Sequence, residues 1–185
     1  MAFHFADGSL CDPSNGNCIC KPGVGGAHCD SCMVGYWGFH DYGCRPCDCA
    51  GDCDPFTGDC FIPDAGVSIT INMDLPEYYN LRNLGEVVSF DNQGNRGVYL
   101  IHNYDDIFYA IERTCPYQSD NACAQVVIDK DVLQYKCGEQ VNDTTFNSCC
   151  GSTYDLNSSF LGGPTRCNLK TYRVAQNGNS LYVSN

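Results

Sequence analysis

Short apolar and β-branched runs recur along the second two thirds of the chain, separated by polar turns. Ser68–Met73 alternates apolar and polar side chains, as expected of a strand with one buried face. Similar short runs occupy residues 86–90, 97–102, 107–111, 125–128, 132–135, 172–174 and 180–183. Asn-, Asp- and Gly-rich turns lie between them, and helix signals are almost absent. The pattern predicts an all-β fold, an antiparallel sandwich or barrel.

The first third of the chain follows a different pattern. Residues 11–60 contain ten cysteines with frequent Gly, Pro and Asp, and no apolar period long enough to build a core. Such a segment buries too little apolar surface to offset its chain entropy, so cross-links must hold it. The composition changes near Phe61–Asp64. We therefore expect two domains, a cysteine-rich region at 1–63 and a β domain at 64–185.

The cysteine content indicates where the protein works. Sixteen cysteines in 185 residues are typical of a disulfide scaffold in an oxidising compartment, so we expect an extracellular or cell-surface protein. An intracellular zinc protein is the alternative, because Cys29-x-x-Cys32 and Cys44-x-x-Cys47 have ligand-like spacing. The first ten residues lack a signal peptide's basic and apolar regions. If the protein is secreted, we expect the chain to be a mature form.

The charge of the chain excludes several classes of partner. A formal net charge of −12 repels phosphate backbones and anionic lipid, which argues against nucleic acid and membrane surfaces. No run of eighteen apolar residues predicts a membrane span. No serine-hydrolase, zinc-protease or phosphate-loop motif is present, so we expect no enzyme activity. The partners we expect are the protein itself, another extracellular protein or a glycan.

Several smaller motifs have an ordinary structural interpretation beside a functional one. Tyr104–Asp106 could bind calcium through its carboxylates, but a hairpin turn explains it better. His28 and His40 lie beside aspartates in cysteine-rich loops, where a solvated turn is the simpler interpretation. Asn142-Asp-Thr and Asn157-Ser-Ser are acceptor patterns for N-glycosylation in a host that glycosylates.

An aromatic-rich loop lies within the cysteine-rich region. Its members are Tyr36, Trp37, Phe39 and Tyr42. Such loops usually shield disulfides where no core exists, and exposed aromatic side chains can also serve as binding anchors.

The cysteine-rich region resembles a laminin-type EGF module. The resemblance rests on the cysteine spacing from Cys11 to Cys47, the Lys-Pro-Gly loop at 21–23 and the Gly-Tyr-x-Gly turn at 35–38. Netrin and laminin short arms are the families it is most similar to. In these modules eight cysteines pair first with third, second with fourth, fifth with sixth and seventh with eighth. Carried over with Cys11 as the second cysteine and Cys18 as the third, the resemblance implies the pairs Cys11–Cys20, Cys29–Cys32 and Cys44–Cys47, with Cys49–Cys60 in a second module.

That alignment leaves Cys18 and Cys53 without partners. One hypothesis pairs them with each other within the chain, since two leftover thiols rarely stay free in a secreted protein. The other pairs them between chains, which would join subunits head to tail into a filament or a ring.

The β half resembles the Rieske fold, particularly small Rieske-like secreted proteins of Bacteroidetes. The residues that carry the resemblance are Cys115-Pro-Tyr117, the segment 149–155, Gly162-Gly-Pro164, Leu169–Val174 and 179–183. A Rieske protein binds a two-iron cluster with two cysteines and two histidines. Here Tyr117 and Cys150 stand at the two histidine positions, and Asn147 stands at the second thiolate position unless Cys137 replaces it. We therefore expect no iron–sulfur cluster and no other cofactor or metal.

We expect the six remaining cysteines to form three disulfides. These are Cys115, Cys123, Cys137, Cys149, Cys150 and Cys167. Each disulfide would contribute about 2–4 kcal/mol, and sequence does not give the pairing. An all-cysteine cluster held by Cys115, Cys137, Cys149 and Cys150 is the alternative, although adjacent cysteines fit one small cluster poorly.

These features together predict an extracellular structural or interaction protein, a subunit of a matrix, an adhesin or a filament. Its architecture would be an EGF-like region followed by an antiparallel Rieske-like β-sandwich. The alternatives are an electron-transfer protein with a divergent iron–sulfur centre and a secreted carbohydrate- or protein-binding module.

Overall fold

The computed structural model of the protein divides the chain into two compact units, Met1–Phe61 and Ile62–Asn185. The residues it describes are 18, 20–26, 28–47, 53–56, 58, 61–117, 119, 121–142, 144–165 and 167–185.

Two small hairpins form the described part of the first unit. The strands are β1 (Val24–Gly25), β2 (Ser31–Cys32), β3 (Tyr36–His40) and β4 (Gly43–Pro46). β1 pairs with β2 and β3 pairs with β4, each time antiparallel. Strands this short cannot bury a core of their own, so disulfides supply most of the cross-linking.

The disulfides of the first unit differ from the predicted pairs. Cys20 is bonded to Cys29, Cys32 to Cys44 and Cys47 to Cys53. The predicted bonds Cys11–Cys20, Cys29–Cys32 and Cys44–Cys47 are therefore wrong, and Cys49–Cys60 lies outside the described residues. Cys53 is bonded neither to Cys18 of the same chain nor to another chain, because its partner is Cys47. Both hypotheses for Cys18 and Cys53 are therefore wrong for Cys53. Cys18 is disulfide-bonded too.

The predicted pairs are wrong because each cysteine was assigned the wrong position within the module. Cys29 and Cys32 are close in sequence, but Cys29 ends a turn at φ 54° and Cys32 lies in β2, so they are bonded to different partners. The family's pairing rule fits all three described bonds when Cys20 is taken as the fifth cysteine of a module. Cys47 then begins the next module and pairs with its third cysteine.

A compact cluster packs around these bonds. Val24, Cys29 and Cys44 are buried, and Tyr36 lies against them. Gly23 adopts φ 71°, and the ring of Tyr36 occupies the space that a side chain on Gly23 would need. The Lys-Pro-Gly loop and the aromatic loop therefore fix each other, and Tyr36 has the shielding role expected of this loop.

The described residues of the second unit form ten strands and one 3₁₀ turn, Tyr79–Arg82. The strands are β5 (Ser68–Asn72), β6 (Val87–Phe90), β7 (Val98–His102), β8 (Phe108–Glu112), β9 (Val126–Asp129), β10 (Gln134–Asn142), β11 (Thr145–Asp155), β12 (Phe160–Gly162), β13 (Thr171–Asn177) and β14 (Ser180–Ser184). They form a six-stranded sheet in the order β5-β14-β13-β8-β7-β6 and a four-stranded sheet in the order β12-β11-β10-β9. Every pairing is antiparallel, which confirms the all-β fold class.

Alternating residues of β7 divide the interior into two cores. Val98 and Leu100 pack with β5 and β14 on one face of the six-stranded sheet. Tyr99 and Ile101 point to the opposite face, because successive side chains of a strand alternate, and pack with residues of the four-stranded sheet. This second core also contains cysteine side chains.

A buried carboxylate joins the turn before β7 to strands β8 and β13. Oε1 of Glu112 accepts hydrogen bonds from the backbone N–H of Arg96 (2.9 Å) and from the N–H (3.0 Å) and hydroxyl (2.8 Å) of Thr114. Its Oε2 accepts from the backbone N–H of Asn95 (2.8 Å) and from the phenol of Tyr172 (2.6 Å). Five donors thus satisfy a charge that has no exposed surface.

The predicted strands correspond to β5–β9, β13 and β14 within a few residues. Only the start of the hairpin β10–β11 was predicted, as the strand 132–135; residues 138–142 and 144–148 also belong to the hairpin, and β11 was not predicted. β12 was not predicted.

Candidate functional site

Three cysteine thiols come together in the second core of the β unit. Cys115 follows β8, Cys137 lies within β10 and Cys150 lies within β11. Their three sulfur atoms all lie within 4.8 Å of one another. We refer to Cys115, Cys137 and Cys150 as the thiol cluster.

A large bulge in the hairpin β10–β11 creates this convergence. The pairing jumps from Lys136↔Thr153 to Gly138↔Ser148, so residues 149–152 face the single residue Cys137. Extra residues in one strand re-aim side chains that regular pairing would alternate between faces. Gly138 adopts φ 151°, and a side chain there would overlap the backbone carbonyl of Asn147. The bulge thus turns Cys150 toward Cys137.

The thiol cluster is largely shielded from solvent. Cys115 and Cys137 are 0% and 1% exposed, and Cys150 is half-buried. The sulfurs of Cys115 and Cys150 are 3.6 Å apart. The phenol oxygen of Tyr154 lies 3.7 Å from the Cys115 sulfur, and the hydroxyl oxygen of Ser152 lies 3.1 Å from the Cys150 sulfur. One side of the cluster is therefore polar, and the rest is packed in the core.

The three thiols share their protons unequally. Hydrogen bonds from Cys115 and Cys137, with a further contribution from Ser152, lower the pKa of Cys150 far below its usual value despite partial burial. For Cys115, the hydrogen bond with Cys137 lowers the pKa, but the hydrogen bond with Cys150 and burial together raise it to about 11. Hydrogen bonds to Cys115 and Cys150 raise the pKa of Cys137. The interactions within the cluster thus favour the thiolate form of Cys150 over those of Cys115 and Cys137.

A disulfide beside the cluster fixes the bulge. Cys123 is bonded to Cys149, the residue before Cys150, and the two are 26 positions apart in the sequence. Cys167 is disulfide-bonded as well. The prediction of three disulfides among these six cysteines is wrong for Cys115, Cys137 and Cys150, which are free thiols. Cys137 and Cys150 lie at the bulge, and their neighbour Cys149 is bonded to Cys123 instead.

A Rieske cluster does not fit this site. The sequence after residue 62 contains one histidine, His102, which lies at the end of β7. Its Nδ1 is 2.8 Å from the carbonyl oxygen of Leu81, and its Nε2 is 2.9 Å from a carboxylate oxygen of Asp106. The ring is also stacked on Phe108. Among the described residues of the β unit, no imidazole is therefore available to the thiol cluster, and Tyr117 stands where one would be required.

The four-cysteine alternative does not fit either, because Cys149 is committed to its disulfide. The sequence placed Cys115, Cys137 and Cys150 among six equivalent disulfide candidates. The adjacent pair Cys149-Cys150 was the available signal, because neighbouring side chains in a strand point to opposite faces and so enter different environments.

The candidate calcium loop is a closed turn. Asp105 accepts hydrogen bonds from the backbone N–H of Ile107 (3.1 Å) and from the phenol of Tyr109 (2.8 Å). Asp106 faces His102. In the cysteine-rich unit, His40 Nδ1 accepts a hydrogen bond from the backbone N–H of Tyr42, as a turn histidine would.

The cysteine-rich unit exposes several large apolar side chains. Val34 is 82% and Tyr42 89% exposed. A shallow cleft of about 250 Å³ is lined by Met33, Val34, Tyr36, Pro55 and Phe61, among others. Trp37 lies over Gly58 and beneath the guanidinium of Arg45. The aromatic loop thus has both a packed part and an exposed part.

Comparison with known proteins assigns the cysteine-rich region. Residues 3–49 match the model of the laminin EGF domain, which confirms the resemblance. Mouse Netrin-4 is 58% identical over 82 residues, covering 44% of this chain and 13% of the relative. Human Laminin subunit beta-2 is 55% identical over 49 residues, covering 24% of this chain and 3% of the relative. The chain therefore spans a small fraction of the length of these relatives.

Solved structures similar to the chain include Rieske proteins. One is the plasma membrane Rieske protein PetC3 from Synechocystis PCC 6803, with a TM-score of 0.42, 24% identity and coverage of 57% of this chain and 91% of that chain. Another is the ferredoxin of carbazole 1,9a-dioxygenase from Nocardioides aromaticivorans IC177, with a TM-score of 0.38, 18% identity and coverage of 64% and 95%. Within the described residues, no helix has the length and apolar character needed to cross a membrane.

Proposed function

We propose that this chain is a non-enzymatic extracellular protein that contributes to a matrix, adhesive or filamentous assembly by binding another extracellular protein or itself. The observation that supports this most directly is the laminin-type EGF module at 3–49, shared with netrin and laminin relatives. The disulfides Cys20–Cys29, Cys32–Cys44 and Cys47–Cys53 of the cysteine-rich unit suit an oxidising environment.

The exposed apolar side chains of the cysteine-rich unit are the proposed contact surface. Aromatic and aliphatic anchors near the centre of an interface usually provide most of its binding energy. Val34 and Phe61 line one cleft and remain 82% and 57% exposed. With a net charge of −12, the chain favours a partner whose surface is apolar or basic.

Matrix deposition tests the proposal. The full chain, secreted from cultured animal cells, should partition into the detergent-insoluble matrix rather than remain in the medium. Val34→Asp should reduce the deposited amount at least about fivefold, since losing a central anchor costs more than about 1 kcal/mol. Val141→Asp is the matched control, because Val141 is 53% exposed but lies in the β unit. Recovery only in the medium, or an equal loss in both variants, would contradict the proposal.

Light scattering on the purified protein separates the two kinds of partner. A mass that grows with concentration favours self-assembly, whereas a constant monomer mass with matrix deposition favours a different extracellular protein. Disulfide-linked multimers through Cys53 are not expected, because Cys47 occupies that thiol.

A further inference from the structure

The geometry of the thiol cluster points to a metal site. We propose that Cys115, Cys137 and Cys150 bind a single soft, closed-shell cation, Zn²⁺ or Cu⁺, as three thiolate ligands. The proposal is independent of the extracellular function, and it differs from a Rieske centre in ligands and in metal.

The spacing of the sulfurs suits such an ion. A metal–sulfur bond of about 2.3 Å places the sulfurs of a tetrahedral site about 3.8 Å apart and those of a trigonal site about 4.0 Å apart. Cys115 and Cys150 have sulfurs 3.6 Å apart, and all three sulfurs lie within 4.8 Å of one another. Small side-chain rotations therefore bring all three to bonding distance around one centre.

The chemistry of the ligands selects the class of cation. Thiolates are soft ligands that prefer Zn²⁺ and Cu⁺ over Mg²⁺ or Ca²⁺. Within the described residues, no histidine or carboxylate joins the three sulfurs. Cu⁺ accepts three thiolates alone, whereas Zn²⁺ requires a fourth ligand. The phenol of Tyr154, 3.7 Å from the Cys115 sulfur, lies beside the position where a fourth ligand would bind.

Charge favours the same conclusion. Three thiolates buried without a cation would be strongly destabilising, whereas Zn²⁺ leaves one negative charge and Cu⁺ leaves two. Because the ligands bind as thiolates, binding releases the S–H protons of the cysteines to solvent. No electron is transferred in this step. Zn²⁺ therefore balances the buried charge better, and Cu⁺ fits the ligand number better.

The surrounding bonds also distinguish the cluster from a disulfide site. Cys149, which lies in the same bulge as Cys150, is bonded to Cys123, and this shows that the fold accommodates a disulfide there. The three remaining thiols form an odd-numbered set, so one disulfide would leave one thiol behind. A cation uses all three and protects them from oxidation.

Metal analysis of the full chain tests the proposal. Protein purified without added metal should contain, or on titration with Zn²⁺ or Cu⁺ should bind, one ion per chain. Cobalt(II) should produce sulfur-to-metal charge-transfer absorption if the zinc type of site is correct. Retention of Cu⁺ against a copper(I) chelator with weak zinc binding would identify the copper type. Two irons per chain with visible absorption would overturn the proposal.

Cys150→Ser is the primary variant because Cys150 is half-buried and its loss disturbs the core least. Its affinity for the ion should fall by more than the roughly 10–100-fold that loss of an outer partner causes. Ser148→Ala, exposed on the same strand, should bind as the wild type does. Unchanged binding in a folded Cys150→Ser variant would refute the site.

Thiol counting provides a test that does not depend on any variant's folding. Denatured wild-type protein, treated with a chelator and a thiol-reactive dye without reductant, should show Cys115, Cys137 and Cys150 as modified residues by peptide mapping. Tyr154→Phe should weaken Zn²⁺ binding without affecting Cu⁺ if the phenol is a ligand. Recovery of any two of the three cysteines as one disulfide would overturn the proposal.

Discussion

Replacing Glu112 with Gln should destabilise the β unit by about 3–5 kcal/mol. The glutamine oxygen can take the place of Oε1 and accept from Arg96 and Thr114. Its amide nitrogen would then face the N–H of Asn95 and the phenol of Tyr172, both of which donate in the wild type. Tyr172 can rotate its proton away, but the N–H of Asn95 cannot.

The magnitude follows from these lost bonds. A hydrogen bond to a charged group contributes about 1.5–3 kcal/mol, and an unpaired buried donor costs about 1–3 kcal/mol. Two charge-assisted bonds to Oε2 disappear and one backbone donor is left unpaired. Partial relaxation of the turn at Asn95 and Arg96 reduces the sum to the range given above.

The difference between the two proteins should depend on pH. Burial raises the pKa of Glu112, but hydrogen bonds from Tyr172, Asn95, Arg96 and Thr114 outweigh it and hold the pKa below its ordinary value of 4.5. The charged carboxylate therefore stabilises the folded state fully above pH 4.5 and loses this effect as the pH falls through the lowered pKa. The stability difference should be largest near neutral pH and should shrink in acid.

Urea denaturation followed by far-UV circular dichroism measures the difference between Glu112→Gln and the wild type. Fluorescence of Trp37 reports on the cysteine-rich unit in the same samples. Glu77→Gln is the matched control because Glu77 is exposed, and its effect should stay within about 0.5 kcal/mol. A loss below about 1 kcal/mol for Glu112→Gln, or one that does not vary between pH 7 and pH 3, would refute the reasoning.

Three further predictions concern the β unit. Removing the disulfide in Cys123→Ala/Cys149→Ala should cost about 3.5 kcal/mol in denaturant unfolding, given the sequence separation of 26, and an unchanged midpoint would contradict the loop-closure argument. Tyr135→Phe should raise stability by about 1 kcal/mol, because no described group bonds its buried phenol; a clear loss in thermal unfolding would reveal a partner. Asn142 should be glycosylated in a eukaryotic secretory host, since it lies exposed at the end of β10; a glycosidase-sensitive mass should disappear in Thr144→Ala, and its persistence there would point to a different acceptor.

Much of the fold can be predicted from residues that are close together in the sequence. Alternating apolar and polar residues mark β5, which buries one face, and a continuous run of mostly apolar residues marks β7, which is buried on both faces. The Lys-Pro-Gly loop and the cysteine spacing marked the laminin-type module in the same way. These signals involve residues only a few positions apart.

The long hairpin β10–β11 was harder to predict from sequence. Most of its described residues between 139 and 148 are polar and exposed, so no apolar period distinguishes them from a loop. The strand pairing across the hairpin, rather than burial, keeps this segment extended.

The disulfide pairs show what cysteine spacing can and cannot predict. The module's pairing rule was applied with Cys11 as the second cysteine, and this displaced each predicted bond to the wrong neighbour. The position of Cys20 relative to Cys29 is fixed by the turn between them, which the cysteine spacing alone did not reveal. A pairing rule based on the order of cysteines therefore predicts the right bonds only when each cysteine is assigned its correct position in the module.

The sequence by itself determined that this is an acidic, all-β, disulfide-rich protein with a laminin-type EGF module, since composition and local periodicity suffice for those features. Tertiary structure alone decided that Cys115, Cys137 and Cys150 face one another while Cys123 is bonded to Cys149. The reason is physical: a bulge changes which side of a strand a residue faces, and its effect depends on the partner strand's register. The sequence shows that the β unit contains six cysteines, but only the strand pairing of the folded protein shows which of them come together.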